Sequence, residues 1–482
     1  MPDIRPVIHL LGLIAAALGA TMVIPMMLDL WQNDPNWHGM FEAATITILT
    51  ASLIAIATYS PERGILGLRE AWLLTAGVWF VIPAFGALPF ILATPNLSFT
   101  DAFFEAASGL TTTGSTVITG LDSAPRGLLL WRAMLNWMGG LGIVIIAMIF
   151  LPIMRVGGMQ MFRAEGFDTF GKILPRAGDI SRALLQVYVL LTLLFAAVYA
   201  MCGMTVFEAL LHAFATISTG GFSTSDSSFG SFKGAAEYAG TLFMLMSGLP
   251  FIRFVQLMRG NARPFLQDPQ VRAYITWYLI AVAVVIAWRM MASDDPSEQI
   301  LRETMFTYAS LLTGTGFGSA PLVAWGAFPL MMAFAVGMIG GCTGSSSGAI
   351  SVFRWQMFGA ALKASMLRLH APHRFVVPRY DGKPLTEEVM HPLMIYFTGY
   401  VLISGISAEI ISMTGVDFTS ALFAVWTSIG NVGYGIGPMV DRTGTMIDFN
   451  DVATWVMTFD MLLGRLGLLA ILVILLPRFW RE

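Results

Sequence analysis

The chain is predicted to be an all-α polytopic membrane protein. Four pseudo-repeats of span, pore helix, filter loop and span surround one pore, and two extra N-terminal transmembrane helices precede them. Three observations carry that prediction. The 482 residues are 56% hydrophobic and 12% charged, with a mean hydropathy of +0.71; a soluble chain carries about twice that charge. Apolar runs long enough to cross a bilayer alternate with shorter ones. Four Gly-centred turns each follow one of the shorter runs: Thr112-Thr113-Gly114-Ser115, Thr219-Gly220-Gly221-Phe222, Gly314-Thr315-Gly316-Phe317 and Asn431-Val432-Gly433-Tyr434-Gly435. They lie roughly a hundred residues apart, the signature of an internal repeat.

Residues 1–60 hold the two extra helices, with spans at 7–30 and 40–59. The first is too long for a signal-peptide core and a second span follows it, so both count as membrane helices. The first repeat, 71–155, has spans 71–93 and 129–154 around a short run at 99–112. The second, 180–260, has spans 180–203 and 236–258 around 205–218. The third, 271–367, has 271–292 and a long 327–367 around 299–313, and the fourth, 391–477, has 391–413 and 451–477 around 417–430. That makes about ten crossings. The short runs cannot span and read as re-entrant helices, since irregular backbone at membrane depth must be enclosed or line a wet cavity. Helix-capping residues mark their starts: Ser98/Thr100-Asp101, Thr205, Ser297-Glu298 and Asp417/Thr419. Each would aim the negative end of its dipole at the turn, which favours a cation. Four turns around one axis could offer a ring of backbone carbonyls, the means by which a protein replaces the water around a potassium ion. Glycine suits that ring because it tolerates φ > 0 and adds no Cβ. The bland reading of such glycines is close helix packing, which we assign to Gly139, Gly140 and Gly142.

Charge placement orients the chain. With the N-terminus inside, most of the 27 Lys and Arg fall on one side, including Arg155, Arg163, Lys172, Arg176, Arg182, Arg253, Arg259, Arg263, Arg272 and the stretch Arg354 to Lys383. By the positive-inside rule that side is cytoplasmic and the four turns lie near the outer face. Asp122, Asp226, Asp294, Asp295, Glu298, Asp441, Asp448 and Asp451 fall on the outer side. They would concentrate cations there, or serve simply as solvated loop charges. Cys202 and Cys342 lie in apolar surroundings and imply neither a disulfide nor a metal site. The six histidines are scattered, and no HExxH, GxSxG or dinucleotide-binding glycine pattern occurs. The chain is therefore not expected to be an enzyme, to hold an organic cofactor or to bind nucleic acid; its surrounding partner is the lipid bilayer. His212 reads as a hydrogen-bonded residue of the second short helix.

The span–pore helix–span pattern with TTTGST, STGGFS, TGTGFG and NVGYG at its turns resembles the Trk/Ktr/HKT superfamily of potassium transporters, over nearly the whole chain. The two extra N-terminal spans resemble the bacterial TrkH branch most closely. The last turn is also similar to the TVGYG filter of potassium channels, from which the other three depart. The resemblance implies potassium as the transported ion, with filter residues Thr112, Thr113, Gly114, Thr219, Gly220, Gly221, Thr315, Gly316, Asn431, Val432 and Gly433. In the second turn Gly220 and Gly221 compete for the filter position, Gly221 being preferred because Phe222 then matches Phe317 and Tyr434. Relatives with Ser at the first glycine favour sodium, so Gly114 implies potassium. The resemblance further implies a bacterial inner-membrane location, a homodimer and a cytosolic, nucleotide-binding, TrkA-like regulatory ring.

Two features read as a gate. Gly340-Gly341-Cys342-Thr343-Gly344-Ser345-Ser346-Ser347-Gly348 interrupts the long third-repeat span, because Gly and Ser hold helix poorly. In the family that stretch, 340–349, is an intramembrane loop beneath the filter; a tightly packed kink is the plain alternative. Arg465, read as the middle of the last span, would cost at least about 2.5 kcal/mol unpaired, so a partner or cavity is expected, with Asp460 a candidate partner. The family places a basic residue there, below the filter and against the loop. Two rivals share the fold: a proton- or sodium-coupled symporter relaying through Glu409 or Asp460, and the potassium-binding subunit of a P-type pump.

Overall fold

A computed structural model of the chain describes residues 4–60, 67–149, 177–371, 373, 376–467 and 477–481. Arg155, Arg163, Lys172 and Arg176, and residues 468–476 of the last predicted span, lie outside these. The described elements are helical apart from one two-residue ribbon. Two long helices open the chain, α1 Arg5–Trp31 and α2 Trp37–Ala57. The first repeat comprises α3 Leu68–Gly86, the short α4 Phe99–Leu110 and α5 Arg126–Ile149. The second comprises α6 Ala177–Met201, the short α7 Val206–Ile217, α8 Ala235–Ser247 and α9 Phe251–Met258. In the third come α10 Pro269–Ala292, α11 Ser297–Thr313, α12 Ala327–Gly337 and α13 Val352–His370. The ribbon β1 Arg379–Tyr380 and β2 Lys383–Pro384 follows; its Asp381-Gly382 turn is left-handed at both residues, which suits a tight hairpin. The fourth repeat comprises α14 Glu387–Met413, the short α15 Phe418–Ile429 and α16 Asp451–Leu466.

One predicted span differs from the observed helices, and two others contain breaks. The span 236–258 is two helices, α8 and α9, bent by 95° at Gly248-Leu249-Pro250, where Pro cannot continue the ladder. The span 327–367 is divided, as the Gly340–Gly348 interruption leads one to expect, by non-helical residues 338–351. The last described membrane helix ends at Leu466, with Gly467 in a positive-φ conformation. Among the described residues seven helices are long and apolar enough to cross alone, or eight with the bent pair.

The chain divides into two compact units. The first comprises residues 1–139, 220–228 and 404–482. Within it α1 and α2 approach closely, and a Cβ at Gly12 would lie 2.9 Å from Ala51 O, so small residues make the contact. Asp29, buried at the end of α1, accepts from Gly127 N at 2.6 Å and Asn36 Nδ2 at 2.8 Å and so fastens the start of α5. An apolar cluster of Phe104, Val117, Ile411, Val425, Met457 and Met461 packs α4 and α15 against α16.

The second unit comprises residues 140–219 and 229–403. Phe195 stacks on Phe243 at 4.1 Å, and Phe229, Phe232 and Phe317 surround the buried His212 ring. Its Nδ1 lies 2.8 Å from Glu208 O.

Candidate ion-conduction site

The short helices begin as capping chemistry dictates. Ser98 accepts from Asp101 N, Thr205 forms a capping box with Glu208, and Asp417 accepts from Ser420 N at 3.0 Å. Asp417 is thereby held below the usual carboxylate range, chiefly by its bonds to Ser420. The third helix departs from expectation: Pro296 precedes it, no side chain caps it, and Ser297 is already helical.

All four helices end in one backbone device. The residue two before each turn glycine is left-handed: Thr112 at φ 52°, Thr219 at 52°, Gly314 at 70° and Asn431 at 50°. The glycine is left-handed too: Gly114 at 86°, Gly221 at 71°, Gly316 at 78° and Gly433 at 79°. Gly220 is not left-handed, so the repeated pattern aligns Gly221 with the other three. The first left-handed residue closes a Schellman cap. Thr112 N donates to Gly109 O at 3.0 Å and Thr113 N to Ser108 O at 2.9 Å. The same pair recurs as Gly314 N to Leu311 O with Thr315 N to Ser310 O, and as Asn431 N to Ser428 O with Val432 N to Thr427 O. A β-branched residue rarely adopts such φ, so Thr112 and Thr219 store strain, a hallmark of functional backbone.

Side chains reinforce the first and third turns identically. Ser108 Oγ donates to Ser115 O at 2.6 Å and Ser310 Oγ to Phe317 O at 2.9 Å. Thr111 and Thr113 hydroxyls pair at 2.8 Å, as Thr313 and Thr315 do at 2.7 Å. In the first unit three turns meet. A Cβ on Gly114 would overlap Gly220 O, and a Cβ on Gly433 would overlap Thr113 O. Each glycine thus makes room for the carbonyl that precedes the glycine of the neighbouring turn. Asn431 Nδ2 adds a bond to Thr113 Oγ1 at 2.9 Å.

In the second unit the Gly340–Gly348 loop is a buried, hydrogen-bonded structure. Ser346 Oγ donates to Ile217 O at 2.8 Å and Ser347 Oγ to Thr313 O at 2.6 Å, the last carbonyls of α7 and α11. The α8–α9 break holds it from another side: Cys342 N donates to Gly248 O at 2.8 Å and Phe251 N to Gly344 O at 3.0 Å. Gly340 and Gly344 are left-handed, Thr343 N donates to Gln270 Oε1 at 3.0 Å, and Gly341 N to Ser347 Oγ at 2.8 Å. Ser345 Oγ closes on Cys342 O at 2.6 Å.

Arg465 sits in the last turn of α16, and Asp460 is not the partner the structure gives it. The offset of five turns the two side chains apart. Asp460 accepts from Ser407 at 2.9 Å, whereas Arg465 donates to Thr111 O, to Thr112 Oγ1 and, at 3.3 Å, to Thr112 O. The guanidinium therefore occupies the carbonyl end of α4. Of the two acids proposed for proton relay, Asp460 is buried and Glu409 exposed.

A sequence model of the TrkH family, described as a cation transport protein, matches residues 41–481. The chain belongs to the TrkH family. It is 35% identical to the Trk system potassium uptake protein TrkH of Escherichia coli K12, over 99% of both chains. With the Trk system potassium uptake protein TrkI of Halomonas elongata it shares 34% identity, over 99% of this chain and 97% of that one. The crystal structure of the potassium transporter TrkH from Vibrio parahaemolyticus superposes with a TM-score of 0.91 at 30% identity, over the whole of both chains. This TrkH-family chain is thus a multi-pass, helical membrane protein.

Two site residues escaped the sequence reading. Glu105 and Arg132 form an ion pair at 2.8 Å behind the first turn, 0% and 1% exposed. The available signal was a charged residue inside an apolar helix, which is costly unless paired. Of the packing glycines, Gly139 abuts Leu110 O and Gly140 abuts Ser218, whereas no described residue lies within 4 Å of where a Cβ of Gly142 would be.

Proposed function

We propose that this chain takes up potassium across the bacterial inner membrane through a four-fold pore-loop conduit, recognising the ion with backbone carbonyls and performing no covalent chemistry. The observation that carries the reading is the pair of left-handed residues repeated in all four turns. Alternating backbone hands turn carbonyls out of the helix ladder, which frees them for an ion. The names of the relatives, potassium uptake proteins and a potassium transporter, support the choice of ion. The filter residues are Thr112, Thr113, Gly114, Thr219, Gly221, Thr315, Gly316, Asn431, Val432 and Gly433, with Gly220 contributing its carbonyl. The Gly340–Gly348 loop and Arg465 form the gate. A cytosolic nucleotide-binding ring releases it, and the working form is a homodimer.

The deciding experiment is the reversal potential of purified protein in a planar bilayer under a potassium gradient, then with sodium opposite. A potential at the potassium equilibrium value supports the proposal; equal responses to both ions overturn the filter assignment. Asp460, a buried intramembrane carboxyl bonded to Ser407, favours a coupled symporter as the second reading. Uptake driven by a pH gradient at equal potassium on both sides would select that reading.

A further inference from the structure

We infer that Glu105 and Arg132 are positioning residues that set ion preference by bracing the outgoing limb of the first turn against the second. This rests on the filter reading above. Glu105, on the buried face of α4, accepts from Arg132 Nε at 2.8 Å, from Val117 N at 3.0 Å and from the Thr116 hydroxyl at 2.9 and 3.0 Å. Arg132, on α5, uses its other nitrogens elsewhere: Nη2 donates to Thr116 Oγ1 at 3.0 Å and Nη1 to Ser223 O at 3.0 Å. Its guanidinium also lies over the Phe222 ring, 4.2 Å from the centroid. A single cation therefore joins the first short helix, the limb leaving Gly114 and the limb leaving Gly221.

The limb after Gly114 is pinned at each residue. Ser115 O is held by Ser108, Thr116 O by Met446 N at 2.8 Å, the Thr116 hydroxyl by Glu105 and Arg132, and Val117 N by Glu105. The brace is confined to one repeat. Nine residues before the turn glycine stand Glu105, His212, Thr307 and Ala424 in the four repeats, so only the first offers a carboxylate. A buried ion pair is weak evidence for stability, because well-packed apolar residues of similar volume often serve as well. What apolar residues cannot supply is direction: the planar fork of Arg132 serves three acceptors at fixed angles and fixes where two limbs lie. Carbonyls that must match an ion's radius depend on that placement.

The test is uptake by whole cells that lack other potassium uptake and express the full chain, with potassium-over-sodium preference and maximal rate measured per amount of membrane protein. Arg132→Met and Glu105→Gln are expected to lower the preference about tenfold or more while the maximal rate changes far less, since about 1 Å of misplacement is enough for large losses. Arg132→Lys restores part of it, because an ammonium pairs with Glu105 but does not reach all three acceptors. Should Arg132→Met and Glu105→Gln fail to accumulate, Thr116→Val decides: it removes the shared hydroxyl, keeps the ion pair and should still lower the preference. Gly114→Ser runs alongside. If it shifts preference while the accumulated brace variants do not, the brace is wrong and the filter reading stands. If Gly114→Ser changes nothing, the filter reading fails and takes this inference with it.

Discussion

Placing a side chain at Gly114 tests the proposed carbonyl ring where the first and second turns approach closely. Gly114 has φ +86°, where an L-residue costs about 1–3 kcal/mol. A Cβ there overlaps Gly220 O and lies 3.1 Å from Gly220 C and 3.3 Å from Gly221 Cα. Carbon contacts relax at about 3.5–4.0 Å, so the second turn must retreat by about 0.5 Å at its carbon and about 1 Å at its oxygen. The obstructing atoms are backbone, with no rotamer available to move them aside. Gly114→Ser therefore distorts the second turn as well as the first.

The assay is potassium uptake with sodium as competitor, together with thermal unfolding in detergent. Gly114→Ser is expected to lower potassium preference about tenfold or more, each decade being about 1.4 kcal/mol of differential binding. Gly142→Ala is the control: open space surrounds it, and a helical Gly→Ala change should leave selectivity intact and stabilise by up to about 1 kcal/mol. Unchanged selectivity and unchanged melting in Gly114→Ser would refute the argument, because both follow from the same overlap.

Three other perturbations probe the surrounding structure. Arg465→Ala removes the donors to Thr111 O and Thr112 O and should raise uptake when this chain is expressed alone; flux at the wild-type level would make Arg465 structural. Ser346→Ala with Ser347→Ala removes the bonds to Ile217 O and Thr313 O, and the one Ser347 accepts from Gly341 N, worth about 0.5–1.5 kcal/mol each, and should expose the loop, read as faster maleimide labelling of Cys342 in a Cys202→Ser background. Labelling at the original rate would mean that the α8–α9 break and Gln270 hold the loop without the serines. Asp417→Ala should cost about 1 kcal/mol of stability at neutral pH. Because bonds from Ser420 depress the folded-state pKa of Asp417, its contribution is full above the unfolded carboxylate range and is lost as pH falls through the folded value. Wild type and variant should therefore converge in melting temperature only in acid; a constant difference down to the lowest pH would exclude the cap as the cause.

The repeat, the short helices and their Gly turns were legible because each rests on a local signal: apolar length, capping residue, glycine. Helix starts at Ser98, Thr205 and Asp417 followed from one side chain each. The preference for Gly221 over Gly220 rested on Phe222 matching Phe317 and Tyr434, and the positive φ of Gly221 gives it the conformation of the other three turn glycines. What was not legible depended on contacts distant in sequence. Asp460 looked like the partner of Arg465 by proximity along α16, yet Ser407 and the end of α4 divide the two, 53 and more than 350 residues away. The 95° bend at Gly248-Leu249-Pro250 was written in the sequence as a Gly and a Pro within three residues, but continuous hydropathy concealed it. Glu105 and Arg132 were concealed in the same way, each a single charge within an apolar run.

The donors that meet the short helices suggest why one backbone device needs three different supports. The terminal carbonyls of such a helix form the negative pole that would steady a cation leaving a filter. Arg465 covers that pole on α4, Ser346 on α7 and Ser347 on α11. On α15, Gly464 packs so closely against Ile429 O that no side chain fits between them. A guanidinium contributes a full charge, whereas hydroxyls contribute only dipoles that can rotate away at a cost of about 1 kcal/mol each. The two kinds of cover should therefore respond differently to opening: the serine contacts can yield to a shift of the loop, but the Arg465 contact yields only if α16 moves or the charge is removed. That difference makes Arg465→Ala and the Ser346/Ser347 pair separable rather than redundant. Combined, they should raise the flux of the chain expressed alone beyond either alone. A double effect no larger than the Arg465→Ala effect would place the loop under the control of the arginine.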